Sequence, residues 1–149
     1  MFFKRYAPNH NTREKARVPF NLDDCGEAIR AFNEAARLDP NCAICYWGTA
    51  LAYGPHVNAP MDSAGGVAAW AAVQKAQAHL STASPLEQAY IRAVAKRYAA
   101  VPPANRAPLD SAYARAMAAV VRAHPRDLDA RRLEERPVVT VLFRWRPFD

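Results

Sequence analysis

Between residues 27 and 123 apolar side chains recur at intervals of three and four, the spacing of helices buried on one side. Ala28, Phe32, Ala35 and Ala36 share one face, with Ile29 and Leu38 at its edges, and predict a helix over 27–38. Asp39-Pro40-Asn41 ends it, because proline cannot continue the hydrogen-bond ladder and restricts the residue before it. A second helix is expected from about Ala43 to Tyr53, stopped by Gly54-Pro55, and residues 54–66 read as a long loop. A third helix is expected over about 67–80, carrying Trp70, Val73, Ala76 and Leu80.

Ser84-Pro85-Leu86-Glu87 is a capping box, in which serine and glutamate each satisfy the other's exposed backbone amide. Pro85 falls at the first helical position, where its missing donor costs nothing. The helix behind it is expected to reach about Ala100, with Leu86, Tyr90, Val94 and Tyr98 four apart, until Pro102-Pro103 ends it. Another helix over 109–123 closes at His124-Pro125, and Asp127 or Asp129 opens a last one near 128–136, broken by Pro137.

The two ends are different in kind. Residues 1–26 show no sustained period, since Pro8, Asn9, Asn11, Pro19 and Asn21 interrupt it, and they read as a poorly ordered segment. In the tail, 137–149, the run Val138 to Phe143 is β-branched, apolar and flanked by arginine, a strand-like pattern foreign to the helical stretch. Three segments are therefore expected: 1–26, a helical domain over 27–136, and an irregular or strand-like basic tail over 137–149.

Composition agrees with one helical domain. The chain has 149 residues, of which 51% are hydrophobic and only 5 are glycine, whereas 32 are alanine. That balance favours helices and disfavours all-β or glycine-loop nucleotide folds. The net charge of +6 invites a nucleic-acid reading, but its distribution weakens it. Residues 1–19 hold five basic and one acidic residue, and residues 131–149 five basic and three acidic, while residues 20–130 hold ten of each. The excess sits wholly in the ends, so no specific nucleic-acid partner is expected. No apolar run is long enough to span a bilayer. Met1-Phe2-Phe3-Lys4-Arg5-Tyr6 meets charge before an apolar signal region forms, so no membrane association and a cytoplasmic location are expected.

The spacing Ala28, Phe32, Ala35, Pro40 has the form A-x3-F-x2-A-x4-P, that of the second helix of a tetratricopeptide repeat. Tyr46, Ala50 and Tyr53 continue it as the first helix of the next repeat. Ala69, Val73 and Ala76 then fit a second helix after about seven extra residues, which fall in the 54–66 loop. The pair over 85–100 and 109–123 keeps the helix lengths but matches the signature poorly. The chain also resembles a group of bacterial tetratricopeptide-repeat proteins of unassigned function. The resemblance rests on Glu27 to Phe32, Asp39 to Ala43, Tyr46-Trp47-Gly48, Gly54-Pro55 with Asn58 and Pro60, and Arg97-Tyr98, and covers roughly 27–130. It implies an all-α solenoid of antiparallel helix pairs, about two and a half hairpins. The departure from the pattern at both ends suggests a truncated or frame-shifted fragment of a longer repeat protein.

If the repeat is aligned on its signature, Trp47 and Leu51 fall on the side lining the inner groove of such solenoids, where peptides are held. Arg92 and Lys96, with Arg97, would offer charge to a carboxylate. Trp70, Tyr90 and Tyr98 read as core. His56 and Asn58 are the loop side chains placed to contact a ligand.

Cys42 and Cys45 form a C-x-x-C. Covalent haem needs histidine next, where Tyr46 stands. Zinc needs two further ligands; Cys25, His56 and His79 are present but lack a paired spacing. A thioredoxin-like pair wants a strand–turn–helix setting, although a helix start does favour a thiolate. The pair reads first as small apolar packers. No catalytic motif is present.

The sequence therefore predicts a protein- or peptide-binding helical-repeat scaffold, without catalytic activity or cofactor, that self-associates through uncapped ends. The alternative is a metal-binding or redox protein using Cys42 and Cys45.

Overall fold

The computed structural model describes residues 25–55, 61–127, 130, 131 and 133. The expected disorder of the N-terminal segment before Cys25, the loop candidates His56 and Asn58, and the strand-like tail lie outside the described residues.

α1 (Cys25–Leu38) buries Ala28, Phe32, Ala35 and Ala36, the four residues its periodicity selected. It begins two residues earlier than expected, taking in Cys25 and Gly26. The turn after it is tied by the Asn41 amide, which donates to Asp39 Oδ1 at 3.1 Å, and by the Cys42 amide, which donates to the Asp39 carbonyl at 3.1 Å. α2 (Ala43–Ala52) is buried at every position but Tyr46, so it behaves as the central helix rather than a surface one. α3 (Ser63–Ala78) buries Gly66, Ala69, Ala72, Val73 and Ala76 along one stripe.

α3 starts four residues before the expected position, which shortens the 54–66 loop. Asp62 caps it, its Oδ1 accepting from the Gly65 amide at 2.6 Å. Gly65-Gly66 reads as a breaker in sequence, but the cap and burial of Gly66 against Pro102 hold both in the helix. A 3₁₀ turn, Leu80–Thr82, follows.

α4 (Pro85–Val94) opens with the capping box intact: Glu87 Oε2 accepts from the Ser84 amide at 2.9 Å, and Ser84 Oγ accepts from the Glu87 amide at 3.4 Å. It stops six residues short of the expected end. The amides of Lys96 and Arg97 donate to the carbonyls of Ala93 and Val94 at 3.0 Å each, tightening the backbone into turns. Tyr98 then reaches back, donating from its hydroxyl to the Ala50 carbonyl of α2 at 2.6 Å. α5 (Ala107–Ala123) buries Tyr113, Met117 and Val120. Beyond it, Asp127 Oδ1 accepts from the Ala130 amide at 2.8 Å, the pattern of a helix cap.

The described residues thus form five α-helices and no strand. α2 packs against both α1 and α3, α4 packs on α5, and α4 also touches α2 and α3. One core cluster runs from Ala35 through α2, α3 and α4 to Val120. A second, formed by Ala28, Phe32 and Ala52, closes the α1 side. Its tightest point is Gly48: a Cβ there would lie 2.2–2.5 Å from three atoms of the Phe32 ring. Only glycine admits the ring at that distance.

Candidate functional site

The residues singled out from sequence divide three ways. Trp47 and Leu51 are 5% and 8% exposed, and the Trp47 ring lies 5.6 Å from that of Tyr90 on α4. The placement of these two on an open groove is therefore corrected: α4 covers that side of α2, leaving almost no surface for a peptide to touch. Tyr90 and Tyr98 are buried, as their spacing suggested, while Trp70 is only partly buried at the margin of the core.

Arg92 and Lys96 are exposed. Arg92, in the last turn of α4, donates to Gln88 Oε1 at 3.1 Å. Lys96 lies in the turn beyond α4, not on the helix as the sequence suggested. Arg97 is not available beside them. It is 7% exposed, donates to the Pro55 carbonyl at 2.8 Å and lies 5.0 Å above the Tyr113 ring. It is an internal tie between the end of α2 and α5. Gly54-Pro55 and Arg97-Tyr98, far apart in the sequence, meet in the structure. A Cβ at Gly54 would lie 2.5 Å from an Arg97 nitrogen and 2.7 Å from the Tyr98 hydroxyl, so the small residue makes room for both. Burial raises the Tyr98 phenol above its ordinary pKa, opposed by the nearby charges of Arg97 and Arg106. Burial pushes Tyr113 up to about 12, again with Arg97 opposing.

Cys42 and Cys45 are each 7% exposed, as expected of apolar packers, but they are also joined to each other in a disulfide. The bond is additional to that reading, which did not include it. Cys42 is the N-cap residue of α2 and Cys45 its third residue, so one helical turn closes the bond. The signal was the C-x-x-C spacing itself, which at a helix start brings both sulfurs to one side. Among the described residues no group of three or more His, Cys, Asp or Glu side chains gathers as a metal site. His79 stacks on the Tyr46 ring with centroids 5.9 Å apart.

Two recesses lie among the described residues. An open cleft of about 530 Å³ lies between α1, the end of α2 and the start of α3, lined by Ile29, Tyr53, Met61 and Asp62 among others. A small cavity of about 90 Å³ lies at the start of α2, with Asn41, Cys42, Thr82 and Glu87 in its wall. Glu87 is 3% exposed; Oε2 is held by Ser84, whereas Oε1 is buried without a hydrogen-bond partner among the described residues. The capping box visible in the sequence accounts for Glu87 Oε2; no sequence signal pointed to its second oxygen.

Among the described residues no helix is long and apolar enough to cross a membrane. Comparison with protein-family models, curated proteins and solved structures finds no match to this chain.

Proposed function

We propose that the chain is a helical-repeat scaffold of the tetratricopeptide type, acting in the cytoplasm, that holds a protein or peptide partner and performs no reaction on it. The observation that carries this reading is the seat of Phe32 on Gly48. Phe32 belongs to the A-x3-F spacing, and Gly48 to the Tyr46-Trp47-Gly48 stretch of the following helix. The two segments that carry the resemblance meet through a large ring and a residue small enough to receive it, which is how repeat helices nest. The succession of contacts, α1 with α2 and α2 with α3, is consistent with stacking of neighbours in chain order.

With Trp47 and Leu51 in the core, the surface offered for recognition is the basic pair Arg92 and Lys96, four residues apart and both exposed. A carboxylate-bearing peptide is the partner whose charge fits it. Two or three repeat units are near the minimum for stability, so self-association through the terminal faces belongs to the same reading.

Fluorescence anisotropy with a labelled library of acidic peptides, on the full chain, tests it. Saturable binding, weakened at least about tenfold in the Arg92→Ala, Lys96→Ala double variant, is the expected result. Absence of saturable binding, or equal binding by the double variant, would remove the reading.

A further inference from the structure

Three observations converge on the start of α2 without being needed by a scaffold. A C-x-x-C pair is closed as a disulfide across its first turn. Cys42, though not Cys45, stands in the wall of the adjacent cavity, whose wall also includes the exposed Asn41 and Thr82, so it meets the surface there. The same wall includes Glu87, a carboxyl group almost fully buried and with one oxygen unpartnered among the described residues. An unsatisfied buried oxygen calls for an explanation, since removing such an atom from water without a partner is costly. The capping box uses only Oε2 and leaves the other unexplained.

We propose that Cys42 and Cys45 form a thiol–disulfide exchange site that takes electrons from a dithiol, with Glu87 as the group that relays the proton. A thiolate of the donor attacks Cys42 Sγ from the cavity. The donor–Cys42 bond forms as the Cys42–Cys45 bond breaks, and Cys45 leaves as a thiolate on the first turn of α2, where the amide ends favour negative charge. Cys45 then takes up the proton released when the donor's first thiol ionised. The donor's second thiol gives its proton to Glu87 and attacks the donor sulfur of the mixed disulfide. The donor closes its own disulfide, Cys42 departs as a thiolate, and Glu87 passes the proton to it. Two electrons and two protons have moved from the dithiol to the pair, and Glu87 ends as it began.

The cavity has room for a few waters or for the thiol and methylene of a donor side chain, and attack on Cys42 is placed there. The site uses none of the exposed residues assigned to peptide recognition and stands or falls separately from that reading.

The test is the reduction of the oxidised, full-length chain by dithiothreitol in native buffer. Samples are quenched in acid, alkylated in urea and counted by mass. Blocked thiols are expected to rise from one, at Cys25, to three without denaturant, at a rate comparable with that of the urea-unfolded chain. A count that stays at one until urea is added would overturn the proposal, because the bond would then be a sealed structural one. Glu87→Gln keeps a side chain able to complete the capping box. It is expected to slow reduction roughly tenfold near neutral pH and to alter the dependence of the rate on pH. A variant with the wild-type rate and profile would overturn the relay, whatever its thermal stability.

Discussion

The α1–α3 side and the α4–α5 side of this protein are held together by different means. In the first, helices approach because small residues let them: Ala35, Ala50, Ala69, Ala72 and Ala76 are buried, and Gly48 receives the Phe32 ring. In the second, large polar-tipped side chains bridge elements through directed hydrogen bonds. The Tyr90 hydroxyl donates to Asp127 Oδ1 at 2.7 Å, that of Tyr98 to the Ala50 carbonyl, and Arg106 to the Arg97 carbonyl at 2.9 Å. The first mode depends on shape and is insensitive to pH; the second depends on protons and directed hydrogen bonds.

That contrast can be broken most forcefully with alkali. Burial raises the phenol of Tyr113 to about 12 and raises that of Tyr98 as well. The folded chain therefore keeps protons that the unfolded chain releases near pH 10, and stability falls as pH rises from about 10 to about 12. Tyr113 alone accounts for about 3 kcal/mol, readable as a drop in urea midpoint across that window. Tyr113→Phe is expected to remove that part of the slope. Tyr46 and Tyr53, on the other side, are only half-buried.

On the α1–α3 side, Gly48→Ala drives a methyl into an aromatic ring rather than the end of a flexible chain. The expected loss is about 2 kcal/mol, the overpacking cost less the gain in helix propensity, measured by urea denaturation. Paired with Phe32→Leu, the two effects should be less than additive, because the smaller side chain clears the space.

Tyr98→Phe is smaller in effect: it deletes the hydroxyl donated to Ala50 while keeping the ring, for a loss of about 1.5 kcal/mol at neutral pH. Ser84→Ala is smaller still, about 1 kcal/mol, since it removes one member of a cap at a half-buried position. Both are readable as shifts in thermal midpoint.

The same contrast explains what could be read from sequence. α1, the start of α4 and the end of α5 were legible because each is fixed locally, by an apolar period, a capping box or a following proline. The core roles of Phe32 and Val73 followed from those periods. The end of α4 was not legible, because Tyr98 leaves the helical path for a carbonyl 48 residues earlier. The start of α3 was hidden by two glycines that a cap and Pro102 hold in place. Trp47 and Leu51 were assigned to a groove because the alignment shows which face of α2 they share, not that α4 covers it. Cys42 and Cys45 were singled out by spacing, but their bond, and the company of Glu87 with Cys42 across 45 positions of sequence, are properties of the fold.

The central claim is that α1 and α2 nest through one ring and one glycine. Selective labelling of phenylalanine and glycine in the full chain, followed by nuclear Overhauser spectroscopy, reads that contact directly. Strong cross-peaks between the Phe32 ring protons and the Gly48 α-protons are predicted; their absence in a folded chain would contradict it.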